Sequence, residues 1–461
     1  MNPPPAHPAR WRVLGLLGVA QLMLILDVTV VAIALPHIET DLGLSREALT
    51  WTVSAYTLTF GGLMLLGGRI ADLAGAKPVM LTGLLVFTGA SLAAGLAETA
   101  AMLVGARIAQ GVGAALLSPS ALSLVVALFD GEERNKALGV WSALGGGGAA
   151  LGVLLGGLLT AGPGWSWVFY VNVPIGVAIA AVLAVIVPKP LPWAAGRPRV
   201  DLLGAFLVTA STASLIYALI AAGEGGWLTS RTGWLVLAAV VGYVLFVGWQ
   251  RRARSPLMDV RLLVRRPVAT GAFLILMATA LMIAVFFLGT FYFQQAQGYG
   301  ALHTGLLFLP VAVATMLGAN LTGRVIGRWG GRAPAVAGLA VAALGLAVPA
   351  VSMRPAVVVV GVSIAAAGTG ALFVVASATA LGQVAPQEAG IASGIVSTFH
   401  EFGASLGAAV VSSVAAASLT GNTLSGFAGG FTVAAAAAAA GVAVAALVTP
   451  GRSRQEDPVP S

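Results

Sequence analysis

Apolar runs of about twenty residues, parted by short polar segments, recur along the whole chain, at approximately 13–35, 50–68, 79–97, 101–126, 138–160, 166–187, 202–222, 233–250, 269–293, 305–323, 335–352, 356–380, 392–418 and 427–449. Each is long enough to cross a hydrocarbon core of about 30 Å as a helix. Within lipid every backbone polar group needs an internal partner, so continuous apolar runs of this length predict helices and not strands. The pattern predicts an all-α membrane protein with 14 transmembrane helices.

Composition agrees, with 58% hydrophobic and 9% charged residues over 461 positions and a mean hydropathy of +0.96. The net charge of +8 first suggests an anionic partner, but the position of the charges points elsewhere. When loops alternate between sides, Arg46, Arg231 and Arg354 fall on one side and Arg107 lies within a span. All the other basic residues, from Arg10 and Arg12 to Arg452 and Arg454, fall on the opposite side. This positive-inside asymmetry predicts cytoplasmic termini, an inner (cytoplasmic) membrane location and no nucleic-acid partner. Arg10, Arg12 and the apolar run that follows also imitate a cleavable signal peptide, but Asp27 interrupts it and the even span count requires the first helix to stay. With no cysteine, four histidines, no HExxH and no phosphate-binding G-x4-G-K-[ST], the sequence offers no recognisable enzyme, metal or nucleotide site.

The chain also repeats itself at an offset of 255 residues. GRIADLAGAK, from Gly68 to Lys77, lies on GRVIGRWGGR, from Gly323 to Arg332, and GVWSALGGGGAALG, from Gly139, lies on GIVSTFHEFGASLG, from Gly394. Six spans thus match six others, and two are left between them. The expected organisation is a tail at 1–12, a six-helix bundle at 13–188, an inserted hairpin at 189–250, a basic connector at 251–268, a second bundle at 269–449 and a tail at 450–461. Parallel repeats of this kind place a substrate site between the bundles near the bilayer midplane.

Ionisable residues within spans are costly, and they mark function by default. They are Asp27, Arg107, His400 and Glu401, with Gln110 one turn from Arg107. Asp27 and Glu401 are the candidate sites for a proton or a substrate cation, and Arg107 either pairs an acid or takes part in proton transfer. His400 and Glu401 adjoin in sequence but point about 100° apart on a helix, so His400 is expected to be a neutral hydrogen-bonding group. Glu401 shares a face with Gly394, Ser397 and Ser405. Gly148, Gly152 and Gly156 recur every fourth residue, leaving a bare stripe that lets another helix approach closely. The segment from Gly68 to Lys77 reads as a tight glycine-bounded loop in which Arg69 and Asp72 can form a charge lock at the helix ends.

These stretches resemble the major facilitator superfamily over essentially the whole chain, and more narrowly its fourteen-span drug:proton antiporter branch. LDVTVVAIALP, from Leu26, is close to that branch's LDxTxVNxALP, with Ala32 where Asn is usual. GRIADLAGAK matches the gating loop of the superfamily through Gly68, Ala71, Asp72, Gly75 and Lys77, and departs at Leu73 and Ala76. RIAQGVGAA matches RxxQGxGaA through Arg107, Gln110, Gly111 and Gly113, while WSWVFYVNVPIG and PLMDVRLLVRRP also fit the branch. The antiporter signature G-x8-G-x3-G-P-x2-G-G is present as Gly139, Gly148, Gly152, Gly156 and Gly157, with Val153 in place of its proline.

The resemblance implies two six-helix bundles, two extra helices between them, and proton-coupled export of small amphipathic, cationic or neutral compounds such as drugs or antibiotics by alternating access. The proton gradient supplies the energy without a cofactor, and a monomer in the lipid bilayer is expected. The alternative on the same fold is a proton-coupled or passive importer of a small nutrient, which the missing proline keeps open. With two candidate carriers, export of a monovalent cation is expected to be electrogenic.

Overall fold

In a computed structural model, the protein is described over residues 10–129, 133, 137, 148, 151–186, 201–226, 228–257, 260–382, 389–416 and 424–449. The two tails, the whole 187–200 linker, Gly139 and most of the first half of the fifth span lie outside the described residues. The first bundle contains α1 (Arg10–Leu42), α2 (Arg46–Ala74), α3 (Ala76–Gly95), α4 (Ala100–Leu128), α5 (Leu151–Ala161) and α6 (Trp167–Ile186). The hairpin is α7 (Leu202–Gly225) and α8 (Ser230–Gln250). The second bundle contains α9 (Arg266–Phe291, continued by a π-turn over Tyr292–Ala296), α10 (Ala301–Trp329), α11 (Arg332–Val351), α12 (Pro355–Gly382), α13 (Ala389–Val414) and α14 (Ser425–Val448). Thirteen of these are long and apolar enough to span a membrane, and the described part of the fifth is Leu151–Ala161.

Several helices extend beyond the apolar runs. The expected loop after the second span is largely absent, because α2 continues through Gly68, Arg69 and Asp72 to Ala74 and Lys77 already lies in the first turn of α3. Only Gly75 breaks the helix, at φ +91°, a conformation that costs a residue with a Cβ but not glycine. Its repeat partner Gly330, 255 residues on, breaks α10 from α11 in the same way at φ +73°. Polar, glycine-rich text reads as loop, yet nothing in it forbids the helix until a positive φ is needed.

Packing carries the repeat further. In the first half Gly83 of α3 meets Gly113 of α4, where an added Cβ would stand 2.7 Å from the Gly113 carbonyl oxygen; Gly338 of α11 meets Gly368 of α12 with the corresponding distance at 3.0 Å. Both pairs are separated by the 255-residue offset. The glycine stripe of α5 packs on α1, as its counterparts Gly403 and Gly407 of α13 pack on Leu276 and Ala280 of α9. Small residues let helix backbones approach in lipid, where no hydrophobic force separates protein from solvent.

The two halves meet along α2 and α13, and α7 lies against both. Arg46, one of the three basic residues that alternation places on the minority side, is the first residue of α2 and only 8% exposed. Its guanidinium donates to the Ile220 carbonyl of α7 at 2.8 Å and the Ser412 carbonyl of α13 at 3.2 Å. Ser413 adds a bond to the Leu219 carbonyl at 2.7 Å. A cation on the exposed carbonyls of helix C-termini is favourably placed, so Arg46 ties one helix of each half to the inserted hairpin.

Candidate functional site

Asp27 and Arg107 come together in the first half. Asp27 is 1% exposed on α1 and Arg107 is 1% exposed on α4. Arg107 Nη1 donates to Asp27 Oδ2 in a short ion pair and to Gln110 Oε1 at 2.9 Å, while Arg107 Nε donates to the Thr52 carbonyl at 2.9 Å. The other carboxylate oxygen of Asp27 accepts from Gln110 Nε2 at 3.0 Å and from Asn172 Nδ2 at 3.3 Å. Gln110 also donates to Ser91 Oγ at 2.8 Å. The Tyr56 ring centroid lies 4.3 Å from Arg107 Cζ and that of Phe169 lies 5.9 Å away, which favours the cation on apolar ground. A buried ion pair of this kind holds when further hydrogen bonds satisfy the groups taken out of water, and here Gln110, Asn172 and the Thr52 carbonyl supply them.

Sequence patterning finds Asp27, Arg107 and Gln110 because polar side chains stand out in apolar helices. It misses Ser91, Asn172 and the Thr52 carbonyl, which come from three other helices. Of these, Asn172 leaves a visible mark, an amide in the otherwise apolar VFYVNVPIG.

Glu401 lies elsewhere, on α13 in the seam with α2. The residue is 7% exposed, and a Cβ added to Gly61 of α2 would stand 2.6 Å from the Glu401 Cβ. Gly61 thus makes room for the acid. Above and below it the same two helices pair Thr57 with Ser405 (Oγ1···Oγ 2.5 Å) and Thr50 with Ser412 (2.6 Å), while Gly394 faces Leu65. The expected sharing of a face by Gly394, Glu401 and Ser405 is therefore a shared contact with α2.

Unlike Asp27, the Glu401 carboxylate accepts no hydrogen bond among the described residues. His400 Nε2 lies 4.0 Å from Oε1, beyond hydrogen-bonding distance and an ion pair only when the imidazole is protonated. The His400 side chain is 42% exposed, and its Nδ1 shares a 3.1 Å hydrogen bond with Thr279 Oγ1 of α9. Phe373 of α12 flanks the ring at a centroid distance of 5.8 Å. His400 is thus partly exposed between Thr279 of α9 and Phe373 of α12, with Glu401 beside it at the seam. Tyr56, which stacks on Arg107, also lies within Coulombic reach of both Asp27 and Glu401.

The remaining predicted residues occupy helix contacts. Gly148 faces Leu22 and Ile25, Gly152 faces Leu26 and Thr29, and Gly156 faces the Val30 backbone, all on α1. Gly157 crosses to the other half, where an added Cβ would lie 2.9 Å from the Ala301 carbonyl oxygen. Val153 is fully buried, and its carbonyl faces Gly305 of α10. Nearby, Gln294 of the π-turn donates to the Ile33 carbonyl at 2.9 Å and Gln295 donates to Glu39 at 2.5 Å, so α1 and α5 meet α9 and α10 at one end of the molecule. At the opposite end Lys77 donates to the Ala184 carbonyl at the end of α6, at 2.8 Å.

Known proteins share this organisation. The family model of the Major Facilitator Superfamily matches residues 17–408. The puromycin resistance protein pur8 of Streptomyces alboniger is 37% identical over 424 residues, which cover 88% of this chain and 82% of that protein. The cephamycin export protein CmcT of Amycolatopsis lactamdurans is 35% identical over 450 residues, covering 95% and 92%. The multidrug resistance protein Stp of Mycobacterium tuberculosis is 34% identical over 406 residues, covering 87% and 75%. In fold the chain is similar to a bacterial homologue of the human lysosomal transporter Spinster, solved in an inward-facing and occupied conformation, at a TM-score of 0.63 and 17% identity over 95% of this chain and 96% of that one. The repeated six-helix architecture, the family model and these relatives agree: this multi-pass membrane protein belongs to the major facilitator superfamily.

Proposed function

We propose that the protein exports small amphipathic compounds, antibiotics among them, from the cytoplasm in exchange for protons. The relatives named for puromycin resistance, cephamycin export and multidrug resistance support export as the direction and drug-like molecules as the class. The observation that carries the coupling is the position of Glu401. It is a carboxylate at the seam of the two halves, with no hydrogen bond to its oxygens among the described residues and a partly exposed imidazole next to it. Such a group can bind a proton or a substrate cation but not both, and rocking of the halves about the seam exposes it to each side in turn. In this reading the protein works as a monomer in the bacterial cell membrane with both termini cytoplasmic, and contacts between α1 and α9 and between α5 and α10 close the outer end. Asp27 with Arg107, Gln110, Ser91 and Asn172 fixes α1 against α4 and α6.

The test uses inside-out vesicles holding a pH-sensitive dye and a panel that includes puromycin, a cephamycin and organic cations. Uptake of a compound accompanied by proton release from the lumen supports the reading. Uptake without proton movement would remove the coupling, and a panel with no transported member would remove the substrate class.

A further inference from the structure

A groove lies apart from the two buried acids and lines neither of their sites. It has a volume of about 330 Å³ and lies between α10, α11 and α12, near the junction at Gly330. Its floor is formed where glycines draw the three helices together: a Cβ added to Gly318 would stand 1.9 Å from the Ala367 carbonyl oxygen, and Gly338 crosses Gly368. Its walls are Leu321, Trp329 and Val341, which are 60%, 59% and 36% exposed, so the groove opens to the outside of the bundle.

The α10 wall is Gly318, Leu321, Thr322, Val325 and Trp329, and beside it on the same helix runs an exposed stripe that changes character along its length. Leu317, Leu321, Arg324 and Arg328 fall at i, i+4, i+7 and i+11 and form one outward stripe. The stripe is apolar for two turns and cationic for the next two. Both arginines are exposed, and neither makes a hydrogen bond or an ion pair among the described residues. Trp329 stands at their level, and tryptophan prefers the boundary between lipid tails and headgroups. Seven residues separate Leu321 from Arg328, about 10 Å along the helix axis at the usual rise. An apolar trough with an aromatic ring at its end and, beside that ring, two guanidinium groups without a partner among the described residues has the polarity profile of a phospholipid. Guanidinium pairs with phosphate oxygens in a forked geometry, and the ammonium of a zwitterionic headgroup offsets that attraction, so a net anionic lipid is favoured.

We propose that this groove binds one anionic phospholipid, with an acyl chain in the trough and the phosphodiester at Arg324 and Arg328. The proposal rests on the membrane-spanning fold alone and is independent of proton coupling or transport direction. Each basic residue near an anionic surface favours binding by about fivefold, so headgroup selection is a readable quantity.

The full chain is reconstituted in phosphatidylcholine vesicles with increasing fractions of dibrominated phosphatidylglycerol or dibrominated phosphatidylethanolamine. The signal is the part of the tryptophan fluorescence lost in Trp329→Phe. Phosphatidylglycerol is expected to quench it at a mole fraction at least about fivefold lower than phosphatidylethanolamine. In the Arg324→Gln/Arg328→Gln double variant the two curves should converge, and in Arg324→Lys/Arg328→Lys a preference should persist. Retention of each lipid by detergent-purified wild type and arginine variants, read by native mass spectrometry, gives the same comparison without touching Trp329. Equal quenching by both lipids in the wild type would reduce the groove to an ordinary lipid-facing surface. A preference that survives loss of both arginines would overturn the assignment of the headgroup site.

Discussion

The contact of α5 with α1 permits a quantitative test. A Cβ added at Gly152 would stand 1.8 Å from Thr29 Oγ1, 2.9 Å from Thr29 Cβ and 3.3 Å from Leu26 Cδ2. The first distance is far inside van der Waals contact, and the second atom is bonded to the backbone and cannot swing away. Even alanine therefore forces α1 and α5 apart, and leucine adds three further carbons to the same space. Overfilling a packed contact costs typically about 1–3 kcal/mol, which is roughly a tenfold to hundredfold change in any equilibrium that needs the contact. Two residues before Thr29 is Asp27, whose bonds to Arg107, Gln110 and Asn172 hold α1 in register. We expect Gly152→Leu to insert in the membrane yet lose transport, measured as substrate uptake in inside-out vesicles normalised to protein. Gly152→Ala should lose at least about tenfold, and Thr29→Ala in the same chain should restore part of it by removing the hydroxyl that the new methyl meets at 1.8 Å while keeping the Cβ at 2.9 Å. Transport at the wild-type rate by a well-inserted Gly152→Leu protein would refute the reasoning. A Gly152→Ala defect that Thr29→Ala leaves untouched would show that some other contact is responsible.

Four other outcomes are expected. Glu401→Gln should abolish substrate-triggered proton release, and Glu401→Asp should keep part of it, read with the dye assay; release of normal size in Glu401→Gln would transfer the carrier role to another group. Asp27→Asn should destabilise the protein by about 3–5 kcal/mol by leaving Arg107 buried without its counter-charge; the Asp27→Asn/Arg107→Gln double variant should be more stable than Asp27→Asn alone in thermal unfolding, and an equal or lower unfolding temperature would argue against the pair as described. Val153→Pro should cost little transport, since it restores the residue usual in the signature, and a large loss would mean that α5 packs on Gly305 in a way the family's kink disturbs. A cysteine at Met258 should resist an impermeant reagent applied to intact cells; labelling there would reverse the orientation of the connector.

The spans, the repeat and the buried charges were legible because each depends on a local signal: a long apolar run, a recurring block, an ionisable residue where lipid belongs. What pairs with what was not. Thr50 and Thr57 return hydrogen bonds to their own helix at the Arg46 and Val53 carbonyls, so their hydroxyls disturb the hydropathy of α2 very little. Only the crossing of α2 with α13 shows that they also meet Ser412 and Ser405. The burial of Arg46 was hidden for a related reason. A charge next to a short polar segment looks solvated, and its burial becomes visible only when the ends of α7 and α13 arrive beside it. The stretch from Gly68 to Lys77 went the other way, since composition suggested a loop while the backbone needed just one residue, Gly75, to turn.

The geometry of the two acids also bears on the charge moved per cycle. Two carriers would bring two protons for each monovalent cation, and the membrane potential would then assist export by about 2.3 kcal/mol per 100 mV. Asp27, however, accepts from Arg107, Gln110 and Asn172, and to take a proton it would have to release a guanidinium that has no other acid in its hydrogen-bonding shell. Glu401 has no such partner to give up among the described residues. One proton at Glu401 exchanged for one monovalent cation is electrically silent, leaving the pH gradient, at about 1.4 kcal/mol per tenfold difference, as the only driving force. We propose instead that exchange of monovalent cations is electroneutral, because the pairing of Asp27 leaves Glu401 as the one carrier. Clamping the vesicle potential with potassium and valinomycin at fixed pH gradient should leave the rate for a monovalent cation unchanged, while a neutral substrate exchanged for the same proton should respond. A monovalent-cation rate that rises with the potential would mean that a second proton moves, and would return Asp27 to the list of carriers.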